Sequence, residues 1–325
     1  MDRAAVRPLR TVLFASGDDA DDVYLALESG ADSVVIDLEE PSTPCTDEVR
    51  ARARRVAGEA LASHVPGPGK PEVFVRVQHP RTGQTLKDLR PVIGASLAGV
   101  LIPKIEGPED IHGADALLTN LEGELDLPLG RIAIYPVLET AQAIRLAYEI
   151  AAASPRVRYM GGAISRFGDI HQAIGYRWSA EGTETLYLRS KVLIDAKAAG
   201  IRYPISGMWG GATDDIDGLR AWCTHLRDLG YYGMMIGSAK HVPLVHEIFS
   251  PSDAELTYWS DLVRLADAAE KAGTGKVTYG DANQGEGHVV HPAHVESARH
   301  NLRWAHALGV VDSAVSRDAN QGDLS

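Results

Sequence analysis

Short runs of nearly continuous apolar residues alternate along this chain with longer segments whose apolar positions recur every three or four residues. The runs are TVLFA (11–15), SVVIDLEE (33–40), EVFVRVQ (72–78), GVLIPKIE (99–106), RIAIYPVLE (131–139), VRYMGG (157–162), IRYPISG (201–207) and YYGMMIG (231–237). Apolar side chains at consecutive positions suit a strand buried on both faces, as in a parallel sheet covered by helices. Segments such as ADDVYLALESGA, DEVRARARRVAGEALA and TLYLRSKVLIDAKAAG have the spacing of amphipathic helices that lay one apolar stripe on such a sheet. Eight alternating units predict an α/β fold, a (β/α)8 TIM barrel, in preference to an open doubly wound sheet. The Gly-rich phosphate turn of the open sheet is missing, because ASGDDAD after the first run does not match G-x-G-x-x-G.

Beyond the eighth unit the pattern changes. Two helix-like stretches, DAELTYWSDLVRLADAAEKAG and HVESARHNLRWAHALG, flank a Gly-rich run, GTGKVTYGDANQGEGHVVHP. Closing a barrel does not require them. The expected organisation is therefore a TIM-barrel catalytic domain over 1–250, a C-terminal extension over 251–312 that packs on a neighbouring subunit or covers the barrel mouth, and a polar, frayed tail over 313–325.

Composition narrows the function. With 325 residues, 45% of them hydrophobic, the chain is long enough for one large core. A net charge of -12 argues against non-specific nucleic-acid binding, which requires a basic face that displaces counterions. An anionic substrate would then need local cations. No run of about eighteen apolar residues predicts a membrane span, and the charged opening MDRAAVRPLR does not read as a secretory signal. Only Cys45 and Cys223 occur, too few for a disulfide framework, so a reducing compartment, the cytoplasm, is expected.

In barrel enzymes the chemistry sits where the strands end at their C-terminal side. Asp37, Glu39 and Glu40 close the second run, Arg76 lies in the third, Lys104 in the fourth, Glu139 ends the fifth, and Asp169 follows the sixth. Glu139 and Asp169, closing successive units, can share one hard divalent cation, which takes oxygen ligands and often only one or two protein carboxylates. Alternatively Glu139 caps the helix that follows and Asp169 merely ends a strand. Arg76 inside an apolar strand needs a carboxylate, either on the substrate or on Asp37 or Glu39. Lys104 reads as a partner of nearby acids or as a Schiff-base amine. His288, His291, His294 and His300 invite a zinc reading, but no Cys and no H-E-x-x-H pattern accompany them, which leaves surface or interface histidines. His171 is either a site-lining group or a helix-start residue. No G-x-S-x-G elbow, no G-x-x-x-x-G-K-[ST] loop and no nucleophilic Cys beside a motif His occurs.

The motifs LFASGDD, ADSVVIDLEE, FVRVQ, GVLIPKIEGPED, YPVLETAQAI, FGDIHQAIG and YLRSKVLIDAKAAGI resemble, in order and spacing, the citrate lyase beta-subunit-like family. That family includes malyl-CoA lyases and lies within the HpcH/HpaI aldolase superfamily, and the similarity covers most of the chain. The resemblance implies a TIM barrel that binds Mg²⁺ and makes or breaks carbon–carbon bonds beside a carbonyl. It implies Glu139 and Asp169 as metal ligands, Arg76 as the clamp on a substrate carboxylate with Lys104 and Gly168 also on the substrate, and Asp37 and Glu39 supporting them. A homotrimer or dimer of trimers is implied as well.

Three departures stand out. GHVVHP places His291 where thioester-cleaving relatives carry an Asp that reaches into a neighbouring subunit's site. A neutral imidazole also accepts a proton near neutral pH. IGSAKH follows the eighth run where relatives read I-H-P, and Gln78 stands where they commonly have Asn. The expected function is a Mg²⁺-dependent carbon–carbon lyase of aldol or Claisen type. Its substrate would be a small carboxylated 3-hydroxy acyl compound, free or as a CoA thioester. The alternatives are a class II aldolase on a free 2-oxo acid, an acyl-CoA thioesterase, and a non-catalytic barrel subunit.

Overall fold

Eight parallel strands form the core of the computed structural model, which describes residues 6–162, 164–274, 277–280 and 287–310. They are β1 (Thr11–Ser16), β2 (Ser33–Asp37), β3 (Glu72–Arg76), β4 (Leu97–Ile102), β5 (Ala133–Leu138), β6 (Gly161–Gly162), β7 (Ile205–Ser206) and β8 (Gly233–Ile236). Their order is β6-β5-β4-β3-β2-β1-β8-β7. Between the outer members, Ile205 N–H donates to Met160 O at 3.3 Å and Gly207 N–H to Gly162 O at 3.1 Å, which brings the sheet round into a (β/α)8 barrel.

Two of the expected strands shrink to two residues each, and the sixth has a local cause. A Cβ built on Gly161 would lie 2.5 Å from the Tyr135 hydroxyl and 2.8 Å from Ile205 O, so only glycine lets β6 approach both neighbours. Gly162 follows with φ +108, a backbone that L side chains rarely adopt.

Period-two alternation divides the core into two layers. Val12, Val35, Phe74, Leu101, Tyr135, Tyr159 and Met235 fill the barrel interior. Phe74 meets Tyr159 edge-on at 5.6 Å between centroids, and Tyr135 stacks on Tyr159 at 6.0 Å. The alternate residues Val34, Ile36, Val73, Val75, Val100 and Ile102 face outward in a second cluster with helical residues such as Ala53, Ala57, Ala60, Ile111 and Leu118. Each fully buried Val, Leu or Ile contributes roughly 1.5–3 kcal/mol. The strands are therefore apolar at successive positions because both faces are covered. The surrounding helices are α1 (Ala20–Leu27), α2 (Asp47–Ser63), α3 (Thr85–Leu89), α4 (Pro108–Glu124), α5 (Ala141–Arg145), α6 (Ala147–Ala152), α7 (Asp169–Ile174), α8 (Leu186–Ala198), α9 (Ile216–Leu229) and α10 (Val242–Ile248).

The chain divides into two compact units, Met1–Phe249 and Ser250–Ser325. In the second unit α11 (Asp253–Ala272) starts at Ser252, whose hydroxyl accepts from Glu255 N–H while the Glu255 carboxylate accepts from Ser252 N–H. It packs on α12 (Pro292–Ala307) through Leu262, Val263, Val295, Ala298 and Leu302, with Trp259 and Trp304 6.4 Å apart. The Gly-rich run between them contains an antiparallel pair, β9 (Val277–Tyr279) and β10 (His288–Val290). The tail expected over 313–325 lies outside the described residues. Among the described residues no helix is long and apolar enough to cross a membrane.

Candidate active site

Strand alternation carries the apolar interior directly into a polar mouth. Inward positions read Val35 then Asp37 along β2, Phe74 then Arg76 along β3, and Tyr135, Val137 then Glu139 at the end of β5. Asp37 and Arg76 are direct partners in the β2–β3 register. Arg76 Nε donates to Asp37 Oδ1 at 2.9 Å and Nη2 to Asp37 Oδ2 at 2.5 Å, a bidentate pair. Nη1 lies 3.1 Å from Glu39 Oε2, a charge contact without an aligned hydrogen bond. Burial disfavours the guanidinium charge, yet the Asp37 bonds and the two acids outweigh it and raise its pKa. The Phe14 ring lies 5.6 Å from the guanidinium carbon. Gln78 Nε2 donates to Glu39 O at 2.8 Å, so this departure from the family pattern fastens the loop that presents Glu39.

Lys104 takes a left-handed backbone, φ 53, rare for a side chain with a Cβ. That turn aims its N–H at Glu139 Oε1, 2.7 Å away. Its ammonium donates to Glu39 Oε1 at 2.7 Å and Glu40 Oε1 at 2.9 Å, and lies 3.8 Å from Asp169 Oδ2. Burial alone would lower its pKa, but Glu39 and Glu40 push it well above the ordinary lysine value. An ammonium bonded to two carboxylates is placed as an ion-pair partner, which favours that reading of Lys104 over a Schiff-base amine. The Lys104 bond in turn holds Glu40 below its usual range. Glu39 is raised, because burial outweighs Arg76 and Lys104.

Glu139 does not cap the next helix. Thr140 does so, its hydroxyl accepting from Ala143 N–H. Burial pushes Glu139 up to about 7; the Lys104 N–H and Arg76 oppose that, while Glu39 and Asp169 reinforce it. Asp169 opens α7 behind Gly168, whose N–H donates to Ser165 Oγ at 3.0 Å. Arg76, Glu139, Gly168 and Asp169 all line one cavity of about 230 Å³, together with Phe14 and Met208. Asp37, Glu39, Glu40, Glu139 and Asp169 carry five formal negative charges at this mouth, against positive charges on Arg76 and Lys104.

This donor set fits a hard divalent cation. The carboxylates around the cavity are oxygen donors in excess of the available positive charge, and Glu139 is already resisting ionisation. Among the described residues no three His, Cys, Asp or Glu side chains are grouped to hold a metal by themselves. A cation that keeps several waters needs only one or two carboxylates, whereas a structural zinc site needs four closed ligands, so the histidine cluster gains nothing from its proximity.

His291 belongs to the second unit, where it precedes α12 and its N–H donates to His294 Nδ1 at 3.4 Å. There it lines a cavity of about 310 Å³ with Glu296 and Arg299. His171 sits within α7, its ring 5.0 Å from that of Tyr176, and it does not line the 230 Å³ cavity. Sequence reasoning missed Ser165, Met208 and Met235 on the cavity wall and the cluster of Arg166, Phe167 and Trp178, of which Arg166 and Phe167 fall in the chain between the wall residues Ser165 and Gly168. The run SRFGD held a usable signal, an Arg–Phe pair next to the motif Asp.

The family described as HpcH/HpaI aldolase/citrate lyase matches residues 10–239. A citrate lyase subunit beta-like protein of Deinococcus radiodurans is 33% identical over 274 residues, spanning 83% of this chain and 90% of its own. A (3S)-malyl-CoA thioesterase of Cereibacter sphaeroides is 27% identical and spans 93% of this chain and 96% of its own. Among solved structures, the protein CitE of Mycobacterium tuberculosis in complex with magnesium, acetoacetate and coenzyme A superposes with a TM-score of 0.64 at 22% identity, covering 93% of this chain and 99% of that one.

Proposed function

The chain belongs to the HpcH/HpaI aldolase/citrate lyase family, and on that premise we propose that it is a Mg²⁺-dependent carbon–carbon lyase. Its substrate is a small carboxylated 3-hydroxy acyl compound, free or as a CoA thioester. The observation that carries this reading is the excess of carboxylate at the barrel mouth, centred on Glu139, whose carboxyl is pushed up to about 7. Glu139 and Asp169 are the residues that hold the metal. When bound there, Mg²⁺ supplies positive charge where an enolate oxygen develops.

The remaining work falls to the protein's own groups. Arg76 is kept charged and fixed by Asp37, and it lines the cavity as the clamp for a substrate carboxylate, which would replace Glu39 at its Nη1. Lys104 orients Glu139 through its N–H and balances Glu39 and Glu40 through its ammonium. In the cleavage direction the 3-hydroxyl loses its proton to a base, the bond between C2 and C3 breaks, and its electron pair passes into the acyl fragment as an enolate. The hydroxyl carbon becomes a carbonyl, and the enolate regains a proton at C2. His291, supplied by another copy of the chain in a homo-oligomer, is the proposed base.

Hydrolysis of the thioester is a second reading, favoured by the similarity to a (3S)-malyl-CoA thioesterase. The same residues would hold the acyl group while water attacks the thioester carbonyl. Product analysis after incubation with malyl-CoA and Mg²⁺ separates the two. Lyase action yields glyoxylate and acetyl-CoA, whereas hydrolysis yields malate and free CoA. Neither set of products, with this and with citramalyl-CoA, would contradict hydrolysis and leave the lyase reading only a free acid as substrate.

A further inference from the structure

We propose that Arg166 is a specificity-determining residue that binds a second anionic group of the substrate at the rim of the cavity. The inference rests on the lyase reading above. Of the two cations at the mouth, Lys104 is committed to Glu39 and Glu40, and Arg76, already paired with Asp37 and Glu39, is assigned to the carboxylate at the substrate's reacting end. A substrate bearing negative charge beyond its reacting end therefore needs a further cation.

Arg166 is exposed and sits in the segment whose neighbours Ser165 and Gly168 line the cavity. Its guanidinium carbon lies 4.9 Å from the Phe167 ring centroid and 5.1 Å from that of Trp178. The hydrogen bond of its Nη1 to Gly210 O is long, at 3.5 Å, and no carboxylate pairs with it among the described residues. Contacts with aromatic faces engage the plane of a guanidinium and leave its edge donors available, the geometry suited to a carboxylate or phosphate.

The support under Arg166 is itself built. Trp178 packs on Trp209 at 5.5 Å, and Trp209 on Trp222 at 5.8 Å. The Tyr176 hydroxyl accepts from Ser165 N–H at 3.2 Å and donates to Ser165 O at 2.5 Å, which fixes the backbone just before Arg166. Phe167 is 83% exposed, so no core requirement explains its size; its ring meets the Arg166 guanidinium and the His171 ring. A pre-positioned arginine loses less side-chain freedom when it captures an anion.

The anionic group could be the second carboxylate of a free diacid or the diphosphate of a CoA thioester. Titration calorimetry on the full-length protein with Mg²⁺ distinguishes them, using pyruvate, oxaloacetate and CoA as probes. For the diacid source, Arg166→Met should raise the ratio of the oxaloacetate to the pyruvate dissociation constant roughly tenfold, and Arg166→Lys should restore part of it. For the thioester source, that ratio should hold while CoA binding weakens by a similar factor. Equal weakening of all three probes, or of none, would overturn the proposal. If the wild-type protein binds neither keto acid in the presence of Mg²⁺, the lyase reading fails first and the role of Arg166 falls with it.

Discussion

The backbone N–H of Lys104, turned by a left-handed φ of 53, donates to Glu139 Oε1 at 2.7 Å, while the same residue's ammonium lies 3.8 Å from Asp169. One residue thus touches both carboxylates proposed to hold the metal, through two different groups. Its N–H favours an ionised Glu139, and its side chain brings a positive charge against Asp169 where a metal would bring another.

Removing the side chain alone separates these effects. Lys104→Met keeps the N–H and deletes the competing charge, so Mg²⁺ should bind roughly three- to tenfold more tightly. The metal-free fold should lose about 1–2 kcal/mol, because Glu39, with a side chain only 6% exposed, loses its hydrogen-bond donor. Calorimetry and thermal melts check both halves. Weaker Mg²⁺ binding would mean that the ammonium holds the acids in place rather than competing with the metal.

Glu139 gives a pH dependence of definite sign. Its folded pKa is raised from the usual 4.5 to about 7. The folded state therefore favours the protonated form, and that contribution is fully present below about 4.5 and lost as pH rises through about 7. Glu139→Gln should make the metal-free protein more stable than wild type at pH 8, by on the order of 2 kcal/mol, with little difference at pH 4. Saturating Mg²⁺ at pH 8 should reverse the order by stabilising wild type selectively. Melting temperatures at the two pH values, with and without the ion, provide the test.

Arg76 holds the mouth together as well as facing it. Arg76→Ala strands Asp37 and Glu39, with side chains 9% and 6% exposed, and should destabilise the protein by roughly 3–5 kcal/mol. Lysine cannot reproduce the two-pronged bond to Asp37, so Arg76→Lys should cost about 1–3 kcal/mol. Denaturant unfolding measures these losses. An Arg76→Ala protein as stable as wild type would show that the Asp37 pair contributes nothing to the fold.

Closure of the barrel depends on Gly161 and Gly162. Gly161→Ala drives a methyl against Tyr135 and Ile205 O and should destabilise by roughly 1–3 kcal/mol. Gly162→Ala adds a backbone penalty of about 1–2 kcal/mol at φ +108 to contacts of 2.7 Å and 2.8 Å with Leu138 backbone atoms. It should be the worse of the two in urea unfolding, and equal stability would contradict the close approach.

Much of the barrel was legible because apolar runs such as SVVID and AIYPVL leave few alternatives to a strand covered on both faces. The polar mouth was legible for a related reason: Asp37, Arg76 and Glu139 each follow an apolar residue two positions earlier, so alternation carries them to the interior end. The brevity of β6 was not, since the run VRYMGG looks apolar throughout, and its limit comes from how closely Gly161 approaches Tyr135 and Ile205. Lys104 had two readings in the sequence, and the bonds of its ammonium to Glu39 and Glu40, which nothing in PKIE announces, favour the ion pair. The pair β9 and β10 was hidden inside a Gly-rich run that reads as loop. Arg166 escaped notice because its partner Trp178 lies twelve positions away, across α7.

The central claim is that Glu139 and Asp169 together hold a divalent ion at the barrel mouth. Calorimetric titration of Mg²⁺ into the metal-free protein, alongside Glu139→Ala and Asp169→Ala, tests it directly. The account predicts saturable binding to wild type that falls at least tenfold in each variant, with both variants still folded. Unchanged affinity in Glu139→Ala, or no binding to wild type at pH 8, would contradict it.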